Sequence, residues 1–590
     1  MVTVVLPACL AVAHAGNVAD AAHDEAVLRT LGLGWTGAFR ALDAPWCGLF
    51  SWLPLGTRAL RGALASAAAA GVAGGMLYLT ARALLVRVAG ASSGVGAVVA
   101  AIGSLAATLS PSWQSEAAAT AGSTLGAALA LLPAALSIGV EGDARAPLTA
   151  LALGAAVSYE PLVGVSAVAS VLGFAACEAV AGRRRPLGRG TAIKSAAAFL
   201  LGLAPFALAF TRRASPLASA ASVFSALAGE RGESPAAMPL AFVRDDVGVA
   251  SSLFALAGAA LAWRASNARS SAGAVAGVAF GGALAMGLGA PAGPTRYGAA
   301  VLAAVGAAYV LAAVAMHALV RAVAEAKIPF SRASAAMILV LEAALPARAA
   351  DDSSARAEDR VKGASEGWDE AAWGGLPDGS IVLVRDPQVE LRLYAERGAG
   401  ELRGDLALVP LFDLGGRGAA RELARDPKLM PIWRDAALVG AEEEWSLSSL
   451  AAERPLIAAY DPAWDRALAR HLVPVGLFAR FEPEPRGGSD RRRALEDLSP
   501  MAPPPAGAPP VPSPRDRLAR SIEGDPELLA LTARLLRVRA IALAAASERD
   551  VVAHAIDDLR PFSPRDTVAA ELVRRMASSR GAIDVKDLTP

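Results

Sequence analysis

Between residues 60 and 350 the chain is a series of Ala-, Leu-, Val- and Gly-rich stretches, with nearly all Asp, Glu and Arg in short clusters between them. A helix needs about 17–25 apolar residues to cross the hydrocarbon of a bilayer. Uncharged or nearly uncharged windows lie near 2–16, 62–86, 92–110, 117–140, 147–158, 160–181, 194–211, 247–263, 272–290, 298–320 and 332–346. The pattern predicts a polytopic α-helical membrane protein with about eleven spans. Composition agrees, since 54% of the 590 residues are hydrophobic, more than one soluble core needs. Residues 2–16 end in Ala11-Val12-Ala13-His14-Ala15-Gly16, which also reads as a signal-peptide cleavage region, but no basic segment precedes them and a first helix is the preferred reading. Tyr159-Glu160-Pro161 interrupts the long stretch 147–181 and predicts two helices meeting at a proline break, with a re-entrant form open. The last window carries Glu342, and Arg348 beside it can snorkel to an interface.

Lys and Arg in short loops stay on the cytoplasmic side, so their distribution gives the direction of each crossing. Arg82 with Arg87, then Arg145, then Arg183-Arg184-Arg185 with Arg189 and Lys194, then Arg264 with Arg269, then Arg321, Lys327 and Arg332 mark every second connection. The intervening connections are poor in Lys and Arg (Ser110 to Glu116, Tyr159 to Pro161) or long and of mixed charge (17–57, 212–246). The expectation is a cytoplasmic N-terminus and an extracytoplasmic segment after residue 350. The excess of Arg over Lys and the abundance of Ala fit GC-rich bacterial coding, and hence a bacterial plasma (inner) membrane.

After Asp351-Asp352 the pattern changes to short β-rich runs alternating with amphipathic helical segments. Ser380–Val384 follows the turn signal Leu376-Pro377-Asp378-Gly379, and Leu406–Leu411 and Pro455–Tyr460 are similar runs separated by stretches long enough for a helical crossover. A small parallel or mixed sheet follows, closed by 474–481 as an edge strand. The predicted organisation is a membrane domain over 1–346, an extracytoplasmic α/β domain over 350–498, a Pro-rich extended linker over 499–515 and a short helical appendage over 516–590.

A net charge of +1, from 56 basic and 55 acidic residues, carries no footprint of nucleic-acid binding. Cys9 and Cys177 in apolar runs and Cys47 in a loop exclude a multi-disulfide scaffold and any CxxC metal or redox motif. There is no Walker-type glycine loop, HExxH or GxSxG, and the five histidines are scattered, which disfavours an ATP-driven pump and a metalloprotease. Gly90 to Gly96 reads as close helix packing. What remains is the first outer loop, with Asp20, His23, Asp24, Glu25, Asp43 and the tryptophans Trp35, Trp46 and Trp52. It reads either as a solvated loop with an interfacial aromatic belt or as a carboxylate site at the membrane surface.

Several short segments follow one another in a telling order. Asp20 precedes Leu31-Gly32, and Leu53-Pro54-Leu55-Gly56 with Arg58 and Arg61 leads into the second window. Leu201-Gly202-Leu203-Ala204-Pro205-Phe206 runs toward Arg212-Arg213, and Arg296-Tyr297 opens a late window. Leu376–Val382 and Val475-Gly476-Leu477-Phe478 lie in the second half. In this order and spacing the chain resembles the bacterial protein O-mannosyltransferase-like membrane proteins of the GT-C glycosyltransferase superfamily, over most of residues 15–485. The family's Asp-x-Gly-Glu element reads Asp20-Ala21-Ala22-His23 here, and its His-Pro-Pro-Gly-Tyr-Pro segment is replaced by Trp35-Thr36-Gly37-Ala38-Phe39, with Ala44-Pro45-Trp46 as the nearest substitute.

The resemblance implies transfer of a sugar from a polyprenyl-phosphate donor to an extracytoplasmic protein or envelope glycan. No further cofactor is implied, and a divalent metal is left open. Asp20 would deprotonate or orient the acceptor hydroxyl, with Asp24 or Glu25 in reserve. Arg58, Arg61, Arg212 and Arg213 would pair with the donor phosphate, since guanidinium groups fork to phosphate oxygens. Trp46, Glu116, Glu160 and Arg296 would line the cavity, and membrane lipids would surround the protein. The alternatives are a degenerate member that anchors a periplasmic binding domain and, third, a lipid or solute transporter.

Overall fold

A computed structural model of the chain describes residues 1–30, 39–89, 94–182, 188–211, 247–288, 290, 297–326, 331–358, 363–399, 403–411, 417–439, 442–460, 464, 466–497, 514–545, 549–578, 583–585 and 587–588. It divides into two compact units. One comprises Met1–Asn17 with Glu25–Glu358, the other Val18–Asp24 with Asp359–Pro590.

The first unit is helical: α1 (Val2–His14), α2 (Asp24–Thr30, reaching into it from residue 25), α3 (Asp43–Ser51), α4 (Arg58–Ala89), α5 (Gly94–Thr108), α6 (Pro111–Ala118), α7 (Thr124–Gly139), α8 (Arg145–Tyr159), α9 (Pro161–Val180), α10 (Arg189–Gly202), α11 (Ala204–Thr211), α12 (Val249–Arg264), α13 (Arg269–Gly287), α14 (Ala299–Glu325) and α15 (Ser331–Glu358). Each expected apolar window therefore contains a helix. Among the described residues α4, α9, α13 and α14 are long and apolar enough to cross a bilayer, and the bent pair α5–α6 makes a fifth when counted as one span. α1, α7, α12 and the start of α15 are shorter apolar helices. Helices α9 and α13 pack through small residues. A Cβ on Gly173 would lie 2.1 Å from the Gly273 carbonyl oxygen, a distance that only glycine permits.

Two features depart from the expected boundaries. The helix expected over 117–140 begins at Thr124, and the connection Ser110–Glu116 is not an exposed loop but the start of α6, bent 62° from α5 and buried along its whole length. Pro111 can open a helix because its missing N–H falls where no intrahelical partner exists. Polar side chains then satisfy the groups freed at the break, with Ser110 Oγ donating to the Ala107 carbonyl at 2.7 Å and Gln114 Nε2 to the Thr108 carbonyl at 2.7 Å. At the second break Glu160 stands at the N-cap position of α9 and Pro161 at its first turn.

The second unit is built on a five-stranded sheet in the order β2-β1-β3-β5-β4. Its strands are β1 (Ile381–Val384), β2 (Ala407–Pro410), β3 (Leu456–Ala458), β4 (Leu472–Val475) and β5 (Phe478–Phe481). β1 pairs in parallel with both β2 and β3, Ile381 facing Ala407 and Leu456, and α16 (Glu366–Asp369) and α17 (Pro387–Ala399) flank it in sequence. The run 474–481 is not one edge strand but the hairpin β4–β5, in which β5 lies inside the sheet and β4 forms the edge. Gly476 in its tight turn takes φ +53°, which reverses the chain where a continuous strand was expected. Pro474 sits on the edge strand, where its missing N–H is tolerated. The Pro-rich linker falls almost entirely outside the described residues. Beyond it α18 (Pro526–Ala545), α19 (Arg549–Leu559) and α20 (Thr567–Ser578) share one core with the sheet, through Ile541, Val552, Ile556 and Leu572 beside Ile381, Leu456 and Phe481.

Candidate functional site

The seven residues Val18–Asp24 belong to the second unit although residues 25–358 separate them from the rest of it. The side chain that organises them is Arg392, in the middle of α17 and fully buried. Its Nε–Nη2 edge faces Asp369, Nε donating to Oδ1 at 3.1 Å and Nη2 pairing with Oδ2. Its Nη1 donates to the Ala19 carbonyl at 2.8 Å and to Asp24 Oδ1 at 2.9 Å. One turn on, Glu396 lies 3.2 Å from Nη2 through Oε1, and the same oxygen accepts the Ala19 N–H at 2.7 Å. Ser365 Oγ accepts the Ala21 N–H at 3.2 Å. A planar guanidinium with donors on two edges can hold two partners at once, which a lysine cannot.

Within this element Asp20 is 0% exposed, and its Oδ2 lies 3.0 Å from His23 Nδ1. Carboxylates outnumber the cation around Arg392, and burial disfavours their charged forms. Burial pushes Asp24 up to about 7 against the pull of Arg392, and Glu396 up to about 8 for the same reason. Asp369 is likewise raised by burial. The cluster therefore holds protons around neutral pH and can exchange them there.

A second buried polar cluster lies within the first unit. Arg40, 4% exposed, pairs with Asp43 at 2.7 Å, donates from Nε to the Tyr159 hydroxyl at 3.0 Å and from Nη2 to the Ala121 carbonyl at 2.7 Å. The Tyr159 hydroxyl in turn donates to Asp43 Oδ1 at 2.9 Å. Glu116, also fully buried, accepts the N–H of Ser123 at 2.9 Å and of Tyr297 at 2.7 Å. Arg40 (φ +60°) and Ala121 (φ +58°), the two ends of one of these bonds, both sit in the left-handed region that side chains disfavour. Such strain persists only where surrounding bonds over-determine it. Residues from two connections expected on the outer side, 40–43 and 159–160, thus meet the turn at 121–123, which was expected inside the helix 117–140, and that turn shares Glu116 with Tyr297.

The remaining expected residues divide. Glu25 follows Asp24 in α2, and its side chain is outside the described residues, as are Arg212, Arg213 and Arg296. Arg58 opens α4 and is exposed, whereas Arg61 donates to the carbonyls of Ser51 and Leu53 at 3.1 and 3.3 Å. Trp46 in α3 donates from Nε1 to the Ala65 carbonyl at 2.9 Å, tying α3 to α4. Among the described residues no group of three or more His, Cys, Asp and Glu side chains is placed to hold a metal ion. Arg392, Glu396, Asp369 and Arg40 are not among the residues the sequence predicts for the site, and Tyr159 enters there only as part of the proline break. The one local signal was the pair Arg392 and Glu396, four residues apart in α17 on the stripe of Val389 and Leu393, where charged residues are out of place.

No family model matches the chain, and no curated protein does. Among solved structures, ArnT from Cupriavidus metallidurans bound to undecaprenyl phosphate aligns at TM-score 0.49 and 14% identity, over 78% of this chain and 92% of that one. The Archaeoglobus fulgidus oligosaccharyltransferase in its apo form aligns at 0.44 and 13%, over 79% and 70%. AglB from the same organism, in complex with an inhibitory peptide and a dolichol-phosphate, aligns at 0.42 and 12%, over 81% and 73%.

Proposed function

We propose that the chain is a membrane glycosyltransferase of GT-C type, moving a sugar from a polyprenyl-phosphate carrier to a protein or glycan acceptor outside the cytoplasm. The carrying observation is the Asp20–His23 pair, a carboxylate withdrawn from water and joined to an imidazole 3.0 Å away in the element whose Asp the family resemblance makes functional. Desolvation favours the basic use of a carboxylate, and an adjacent imidazole can receive and pass on the proton of an attacking hydroxyl. Asp20 is fully buried, so an acceptor reaches it only after this element opens locally. Asp24 and Glu25 stand in reserve. Arg58 and Arg61, three residues apart at the start of α4, share a helix face suited to a phosphate group, and Arg212 and Arg213 would join them. Trp46, Glu116, Glu160 and Arg296 would line the sugar-binding cavity, with the C-terminal unit on the same, extracytoplasmic side.

The engagement of Asp24 by Arg392, through Oδ1 at 2.9 Å, favours a second reading, a degenerate member that anchors a binding domain. Alanine at Asp20, and separately at Asp24 with Glu25, decides between them. Transfer requires that these variants fail to restore the envelope glycans or glycoproteins lost on deleting the gene, read by mass spectrometry of membranes. Full restoration by every variant supports the anchor. Activity of alkaline phosphatase fused after residue 350 tests the side of the membrane independently.

A further inference from the structure

We propose that Arg392 is a positioning residue that clasps the Ala19–Asp24 element to the C-terminal unit and holds Asp20 in its working orientation, so that this unit contributes a residue on which the Asp20 site depends. The inference rests on the transfer function proposed above, but its geometry stands separately. Three side chains of the unit, Arg392, Glu396 and Ser365, engage backbone groups of the element: the Ala19 carbonyl, the Ala19 N–H and the Ala21 N–H. These bonds bracket Asp20 on both sides, and the pair from Arg392 to Asp24 closes the far end of the element.

The shape of the guanidinium divides its work. Its Nε–Nη2 edge is committed to Asp369 inside the unit, while Nη1 faces the element alone, toward Ala19 and Asp24. A side chain that keeps the charge but lacks the second edge should therefore preserve the unit and release the element. Lysine is such a side chain, since its single ammonium can stay with Asp369. Once Arg392 is gone, the Ala19 carbonyl and Asp24 lose their shared donor and burial favours the protonated forms of Asp24, Asp369 and Glu396, so no ion pair retains the element.

The test compares full-length wild type, Arg392→Lys and Arg392→Met in detergent micelles by hydrogen exchange. Arg392→Lys should speed exchange at the Ala19 and Ala21 amides at least tenfold while the amides of β1 exchange as in wild type. In cells the same variant should lose glycan restoration as Asp20→Ala does. A substitution that merely weakened the fold would instead speed exchange in β1 as well. Arg392→Met should release the element at least as fully. Unchanged protection of Ala19 and Ala21 in both variants would overturn the clasp. Released protection with full restoration by Arg392→Lys, where Asp20→Ala restores nothing, would overturn the positioning role. Should Asp20→Ala itself restore the glycans, the role of Asp20 in transfer and with it the positioning role of Arg392 fall, while the exchange measurement still decides whether Arg392 holds the element.

Discussion

Two buried arginines, Arg392 in the sheet-bearing unit and Arg40 in the helical unit, solve the same problem in different ways. Arg40 makes one direct ion pair, with Asp43, and spends its other donors on neutral groups, the Tyr159 hydroxyl and the carbonyls of Ala121 and Gly122, so the pair itself is balanced one to one. Arg392 meets three carboxylates, Asp24, Asp369 and Glu396, and the surplus of acid is accommodated by retained protons. A balanced pair locks a structure over a wide range of pH. An acid-rich cluster instead makes its grip depend on proton concentration near neutrality.

The largest effect that can break this comparison comes from the balanced site. Arg40→Met leaves Asp43 buried without its counter-charge, which should cost about 3–5 kcal/mol, seen as a lowered unfolding midpoint in detergent. A loss under about 1 kcal/mol would show that the network does not hold the outer connections together. Glu116→Gln keeps the shape but loses the charge on the two N–H bonds from Ser123 and Tyr297, and about 1–3 kcal/mol is expected in the same measurement.

A graded effect belongs to the acid-rich site. Asp24 rises from 3.8 to about 7 and Glu396 from 4.5 to about 8. For an acid raised on folding, the stabilisation is complete below the unfolded value and is lost as pH rises through the folded one. Protection of the Ala19 amide should thus be fullest near pH 4 and fall between pH 5 and 8, with Asp24→Asn flattening the fall. Protection that grows over this range would sink the account of the cluster. Smallest is Arg61→Ala, which removes two bonds to the carbonyls of Ser51 and Leu53. It should cost about 1 kcal/mol, whereas exposed Arg58→Ala should change stability by under about 0.5 kcal/mol. If both still abolish glycan restoration, their part in binding the donor is separated from their part in folding.

The helices of the first unit were legible because hydropathy is read over neighbouring residues, and each apolar window holds a helix. Failures came where long-range packing overrode the local pattern. Ser110–Glu116 is polar and reads as a loop, yet it folds as buried α6 because Trp113 donates to the Leu302 carbonyl at 3.0 Å and Gln114 closes the break. Pro474–Phe481 reads as one strand, yet a single left-handed glycine splits it into two. In the candidate site, Asp20 stood out through its family-like spacing and Asp24 as its acidic reserve, whereas the partner of Asp24 lies in α17, where a charged pair on an apolar stripe is a weak local signal.

Sequence alone determined the apolar lengths, the charge clusters between them and the alternation of β runs with helices, since each is a property of residues adjacent in the chain. Tertiary structure decided that Asp24 meets Arg392, 368 positions away, and that Val18–Asp24 belongs with the C-terminal unit. The physical reason is that a buried charge takes as partner whichever opposite charge the packed backbone brings within about 3 Å. Nothing in the composition of either segment specifies that choice.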